Sequence, residues 1–295
     1  MSDFLIDRMV IVGFGLIGSS LARAIRQHPD LVGHITAIDH DPAALDVIRT
    51  LHLADVATDD LAAAVAAADV VVIATPLSAI RPLGSIIGPL LKPGAILTDV
   101  GSVKTSVLRD LTPLVPAHAH LVPGHPIAGT ENSGPQSGLA TLFDGRWTIL
   151  TPTPETDRAA IETISALWRR VGSNVVEMDA GHHDKVLAIT SHLPHLIAYT
   201  IVGTAVDLED SLRSEVVKFS ASGFRDFTRI AASDPTMWRD IFLSNREAVL
   251  EMLQRLTEDL SALQRAIRWD EGEFLFDRFS RAREIRRGVI EAKQA

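Results

Sequence analysis

The sequence predicts a doubly wound parallel α/β domain over residues 1–178 followed by an all-helical domain over residues 179–295. Three observations predict it. Short apolar runs alternate with amphipathic helical stretches through the first half. A glycine-rich turn joins the first of these runs to the first helix. The strand signal stops after about Asp179. A length of 295 residues also exceeds the roughly 100 to 150 residues that one compact core usually carries, so two domains are expected.

The elements follow in order. Met9 to Val12 is an apolar run ending at Gly13, and the apolar-periodic stretch Leu16 to Ile25 follows at once, which reads as strand, tight turn and helix. His34 to Ile38 is a second strand ending at Asp39, after which Asp41 and Pro42 supply an acidic cap and a first-turn proline for another helix. Ala68 to Ala74 and Ala95 to Val100 are buried-strand candidates separated by a helical segment and the turn Lys92-Pro93-Gly94. Such alternation favours a parallel sheet covered on both faces. Trp147 to Leu150 and Asn174 to Met178 are late strands with the helix Thr156 to Val171 between them. Gly181 to Ala295 reads as helices, including one long amphipathic helix from Pro235 to about Trp269.

Composition excludes several classes. A formal net charge of -9 argues against a general affinity for nucleic acid or anionic membrane, which require clustered Lys and Arg. Zero cysteines remove disulfides and thiolate metal sites. The amino terminus lacks a basic segment leading into an apolar stretch, and no uninterrupted apolar run reaches the roughly 18 to 20 residues of a membrane span. Cytoplasmic residence is expected. His182 and His183 resemble a metal pair, but neighbours on a helix point apart and no third ligand is evident, so no metal is expected and both read as structural or capping residues.

Gly13-Phe14-Gly15-Leu16-Ile17-Gly18 fits the dinucleotide fingerprint in its proper setting between a strand and a helix. The first glycine permits the turn, the second lets a pyrophosphate approach the backbone, and the third lets helix and strand pack closely. Free amides at the helix start face the phosphates. Asp39 follows Gly18 by 21 residues, at the end of the second strand, where a carboxylate would accept from the adenosine ribose hydroxyls. This is a Rossmann-type domain with NAD favoured over NADP, although the neighbouring His40 could soften that preference. Thr75, Pro76 and Gly101, at the ends of later strands, complete the expected cofactor contacts.

Four polar clusters interrupt the regular patterning, as functional sites tend to do. They are Asp99-Val100-Gly101-Ser102-Val103-Lys104, the run Gly124 to Glu131 (GHPIAGTE), the run Ser191 to His195 (SHLPH), and the run Ser222 to Arg229 (SGFRDFTR). The first two follow strands, where open α/β sheets bind ligands. Together with GFGLIGSS at Gly13 to Ser20 and the continuation to Ile241, these segments closely resemble the prephenate/arogenate (cyclohexadienyl) dehydrogenase family of tyrosine biosynthesis, over nearly the whole chain.

The resemblance implies an NAD-dependent oxidative decarboxylation, in which a hydride leaves a hydroxyl-bearing ring carbon, carbon dioxide departs and the ring becomes aromatic. It implies that His125 is the acceptor toward the substrate hydroxyl and that Ser102 orients the same group; a neutral imidazole with a pKa near ~6.5 suits this work. Arg229 would clamp a substrate carboxylate through its planar fork. Ser191 and His195 are implied as further substrate contacts, with Thr130, Glu131, Arg225, Asp226 and Trp238 shaping or gating the pocket. A histidine before proline is otherwise a turn residue, and an exposed arginine is otherwise a weak surface ion-pair partner. Of His192 and His195, three apart on a helix, His195 is favoured for the site. The aromatics Phe219, Phe224 and Phe227 are assigned to core packing.

Glu131 and Asp226 are both candidates to read a substrate amine, and tolerance of prephenate and arogenate alike is expected. Ser222 stands where relatives often carry a smaller residue. The resemblance also implies a homodimer built through the carboxy-terminal helices. After Trp269, 26 residues remain, too few for an appended regulatory core, and no fused mutase domain is expected. Two other readings compete: a β-hydroxyacid-type dehydrogenase using Lys185, and a non-catalytic NAD sensor that would need no proton-transfer residues.

Overall fold

The computed structural model describes residues 4–130, 132–207, 215, 218 and 222–291. Its amino-terminal part alternates β1 (Ile6–Val12), α1 (Leu16–Ile25), β2 (Val32–Ile38), α2 (Pro42–Thr50), β3 (Val56–Thr58), α3 (Leu61–Ala66), β4 (Val70–Ile73), α4 (Leu77–Ile87), β5 (Ile96–Asp99), α5 (Lys104–Leu111) and β6 (His120–Val122). The strands form one parallel sheet in the order β3-β2-β1-β4-β5-β6. The order reverses between β1 and β4, so the carboxyl ends of these two strands open a crevice of the kind that takes ligands in such sheets. Side chains alternate between two cores. Met9 and Ile11 join Leu21, Ile35 and Trp168 on one face, and Val10 and Val12 join Ile80, Leu97 and Val107 on the other. This two-sided burial explains why β4 reads as an unbroken apolar run.

Pro123 separates the two sheets. It follows β6 directly, and the chain re-forms as β7 (Gly124–Pro126), which pairs antiparallel with β8 (Trp147–Leu150); β8 in turn pairs parallel with β9 (Asn174–Glu177). A proline has no N–H to continue a ladder, so the change of sheet falls there. α6 (Arg158–Arg170) connects β8 to β9 and is capped by Asp157, which accepts from the Ala160 amide.

After β9 the described chain is helical. α7 (Ala180–Leu187), a π-helical turn (Ala188–His192) and α8 (Leu193–Val206) run on without a break. The stretch Ala180–Ala205, with mean hydropathy 1.4, is long and apolar enough to cross a membrane by length and composition. This corrects the expectation that no such stretch exists: that expectation counted uninterrupted apolar residues, whereas polar side chains are dispersed through this one. Three of them, His183, Asp184 and His192, are buried and hydrogen-bonded within the fold.

The long helix expected from Pro235 to Trp269 is two helices, Pro235–Ser244 and Arg246–Arg268. The break is at Asn245, which leaves helical geometry (φ -103, ψ 35) and sends its side chain to the Asp184 carbonyl and His192. The chain forms two compact units, Met1–Arg246 and Glu247–Ala295. In the second unit a turn with Asp270 at φ 55 leads into the helix Gly272–Glu291, and Arg278 pairs with Asp259 across the hairpin. Ile267, Trp269, Phe276, Phe279 and Ile285 are exposed there, Trp269 to 70%. Phe227 is also exposed and Phe224 half-buried, so the core role given to them is corrected for Phe227; Phe219 lies outside the described residues.

Candidate active site

The glycine turn forms between β1 and α1. Gly13 has φ +92, and a Cβ there would crowd Thr75 and the Ala74 carbonyl after β4. A Cβ on Gly18 would overlap the Gly13 carbonyl oxygen, so helix and turn meet at backbone distance. Nothing lies within 4 Å of the Cβ position of Gly15, which leaves an open cradle over the helix start. The amides of the first turn of α1 have no intrahelical acceptors, and Gly15 gives no side-chain cap, so Leu16 and Ile17 open a helix end suited to an anion. Phe14 is fully buried and serves the core rather than the cradle surface. Asp39, at the end of β2, accepts from the Phe14 amide at 2.9 Å and from the Asp41 amide at 3.0 Å, so it braces the turn. The fully exposed His40 ring lies 3.4 Å from Asp39. Thr75 carries a buried hydroxyl with no protein partner among the described residues, and Pro76 beside it is exposed. An open cradle, free helix-start amides and an orphaned hydroxyl at the crevice fit a dinucleotide.

β5 and β7 are held together by an ion pair. Lys104, fully buried at the start of α5, donates to Asp99 at 2.5 Å and to the Gly124 carbonyl at 2.6 Å. Asp99 also accepts from the Gly101 and Gly124 amides. Burial pushes the Lys104 ammonium below its usual range, opposed by Asp99. A buried charge demands such a partner. This clamp fixes the loop that carries half-buried Ser102 and the strand that carries His125.

His125 Nδ1 lies 2.9 Å from His183 Nε2, and His183 Nδ1 lies 2.7 Å from Asp184 Oδ1. Asp184 also accepts from the Lys104 amide at 2.8 Å and from the Thr105 amide and hydroxyl. Burial alone would raise the Asp184 pKa, but these donors hold its carboxyl below the usual carboxylate range. Withdrawal from water, reinforced by His183, Lys104 and His192, pushes His125 well below 6.5. His125 is therefore neutral at physiological pH. His183, expected to be structural or capping, is wholly buried and bonded to His125 and Asp184, while exposed His182 merely offers its amide to Asp179.

A second group forms on the helices. His195 stacks on Trp238, with ring centroids 3.6 Å apart, and its Nδ1 lies 2.8 Å from the Ser191 carbonyl. A carbonyl only accepts, so Nδ1 carries the hydrogen and Nε2 is left as an acceptor. Burial and the nearby Arg229 cation lower the His195 pKa. His192 is buried, takes a hydrogen bond from Asn245 at 3.1 Å and meets Trp238 edge-on; burial is the main cause that brings its pKa to about 4.

Thus the structure brings His195, Ser191, Trp238 and Arg229 together, and separately joins His125 to the segment carrying Ser102. Thr130 is exposed and accepts from the Asn132 amide. Arg225 and Asp226 are exposed on the helix Ser222–Thr228, as is Ser222. Glu131 lies outside the described residues. Lys185, the lysine required by the hydroxyacid reading, is exposed on α7. Sequence reasoning missed His183, Asp184, Lys104 and Asn245. Lys104 closes the polar cluster that begins at Asp99, whereas Asp184, between His183 and Lys185, carries no local signal of its burial.

Comparison with known proteins gives the family. Residues 21–177 match the nucleotide-binding domain of prephenate dehydrogenase, and residues 179–281 match its dimerization domain. A cyclohexadienyl dehydrogenase of Zymomonas mobilis is 42% identical over 279 residues, 94% of either chain. The crystal structure of Aquifex aeolicus prephenate dehydrogenase in complex with hydroxyphenyl propionate and NAD+ superposes with a TM-score of 0.89 at 34% identity, covering 96% of this chain and 98% of that one. Synechocystis arogenate dehydrogenase gives a TM-score of 0.77 at 27% identity, covering 94% and 99%. Matched in both halves and along nearly its full length, the chain belongs to the prephenate dehydrogenase family.

Proposed function

We propose that this chain catalyses the NAD-dependent oxidative decarboxylation of prephenate, arogenate or both, with His125 as the group that receives the substrate hydroxyl proton. The observation that carries this reading is a half-buried, uncharged imidazole on β7, clamped through Gly124 to the strand β5 that ends at the crevice.

Gly13, Gly15, Gly18, Asp39 and Thr75 would hold the dinucleotide, with Leu16, Ile17, Pro76 and Gly101 alongside and Phe14 beneath. NAD, when bound, supplies the hydride acceptor. The hydroxyl proton moves toward His125 as hydride leaves the ring carbon, the carbon–carboxylate bond breaks to release carbon dioxide, and its electron pair enters the ring. The proton then returns to the oxygen as the ring becomes a phenol, so the reaction releases no net proton. Ser102 orients the hydroxyl. Arg229 holds a substrate carboxylate, and His195, braced by Trp238 and Ser191, offers Nε2 as a further polar contact. Thr130, Glu131, Arg225 and Asp226 complete the surround.

The functional boundary falls near residue 178, supported by the meeting of the two family matches at residues 177 and 179. A homodimer is part of the same reading: the carboxy-terminal match is to a dimerization domain, and the second unit exposes large apolar side chains that a partner would cover. Cytoplasmic residence belongs to the same reading, with which a chain without cysteine is compatible. The test is NADH formation with prephenate and with arogenate, each with NAD and with NADP. Turnover of at least one substrate with NAD is expected, and none with either would overturn the proposal.

A further inference from the structure

Among the buried groups that the reaction scheme above does not use, Asp184 and His183 form the most completely determined set. Asp184 receives four donors: the Lys104 amide and His183 Nδ1 on one oxygen, and the Thr105 amide and hydroxyl on the other. A carboxylate has about four lone-pair sites, so Asp184 is saturated and has no proton of its own to give. Its two amide donors are the first two residues of α5, whose Val103 cap makes no side-chain bond, so Asp184 also caps that helix from another element. Facing an ionised carboxylate at 2.7 Å, His183 must place its hydrogen on Nδ1. That leaves its Nε2 bare, and the ring 2.9 Å away must supply the hydrogen that joins them.

The geometry points to a relay in which Asp184, through His183, obliges His125 to carry its hydrogen on Nδ1 and to present a bare Nε2 to the substrate hydroxyl. We infer that His183 and Asp184 are positioning residues for the reaction. The inference rests on the reading of His125 as acceptor. A neutral imidazole alone in solution interconverts between two tautomers, one of which puts a hydrogen where the hydroxyl proton must go; the relay removes that tautomer. It also places one negative charge two hydrogen bonds behind the ring, where it steadies the partial imidazolium that forms as the hydroxyl proton moves. Lys104 cannot offset that charge freely, because its own partner is Asp99. Orientation of a catalytic histidine by a second hydrogen-bonded group can change turnover by orders of magnitude without changing what binds.

The experiment compares His183→Leu with His183→Gln in the full-length enzyme, using prephenate and NAD. Leucine removes the acceptor facing His125, while the glutamine carbonyl can restore it. Turnover is expected to fall about 100-fold or more in His183→Leu, with both Michaelis constants within about threefold, and to recover to within about tenfold in His183→Gln. Histidine-selective 15N NMR of the wild type, with the His125 signals identified by their loss in His125→Asn, is expected to show a protonated Nδ1 and a bare Nε2. Wild-type turnover in His183→Leu, equal losses in the two variants, or a hydrogen on Nε2 of His125 would each overturn the relay. Should His183→Leu fail to fold, the glutamine variant's turnover and the wild-type tautomer decide the matter. Full turnover in His125→Asn would instead remove the reading on which the relay rests, so the two failures are distinct.

Discussion

His192 is 1% exposed, and burial brings its pKa from an ordinary 6.5 to about 4. The folded state therefore favours the neutral ring, and its stability is intact above pH 6.5. As pH falls from 6.5 toward 4, the unfolded chain takes up the proton while the folded one does not, so stability declines across that window. At ~1.36 kcal/mol per pH unit the loss attributable to this one residue reaches roughly 3 kcal/mol. His192→Asn removes the titration but keeps an acceptor near the position of Nδ1 for the Asn245 side chain. It gives up the contact with Trp238, for a cost of about 1 to 2 kcal/mol that does not depend on pH. Urea unfolding of both proteins at one fixed concentration, from pH 8 to pH 4.5, measures the difference. The wild type should start more stable and lose about 2 to 3 kcal/mol more than the variant across the range. Parallel curves would show that burial does not hold His192 neutral.

Three further outcomes are expected. Gly18→Ala drives a methyl into the Gly13 carbonyl, so it should cost about 1 to 3 kcal/mol and weaken NAD binding at least tenfold, read by thermal unfolding and cofactor titration; a neutral effect would mean that turn and helix do not meet at backbone distance. Because Asp39 braces the Phe14 amide, Asp39→Ala should weaken both dinucleotides, whereas Asp39→Asn keeps an acceptor and removes the charge, so its NADP to NAD ratio of kcat/KM should rise about tenfold; an unchanged ratio would remove Asp39 from cofactor selection. Arg229→Ala should raise KM for prephenate about tenfold or more with kcat within about threefold, and an unchanged KM would place the substrate carboxylate elsewhere.

Most of the nucleotide domain was legible because its signals are local. The Gly15 to Leu16 junction, the Asp41 cap with Pro42 behind it and the span of β8 each depend on a few adjacent residues. The three-residue strands β3 and β7 were not, since such short runs are ordered by their neighbours in the sheet rather than by their own pattern. The site divided in the same way. His125 and Arg229 stand out within their motifs, but His183 reads only as a structural or capping residue because helix geometry says no more than that it points away from His182. It says nothing of a ring 58 residues earlier that turns to meet it. Asn245 hid inside an amphipathic period that runs straight through the break it makes. Asp39 was assigned to the ribose alone, and its second task, holding the glycine turn, is a contact between elements 25 residues apart.

The most direct measurement is single-turnover NADH formation by wild type and His125→Asn at pH 7.5, each saturated with NAD and prephenate. Loss of the neutral ring should slow the chemical step by roughly 10² to 10⁴ while both ligands still bind. A variant that forms NADH and carbon dioxide at the wild-type rate would contradict the assignment of proton acceptance to this histidine.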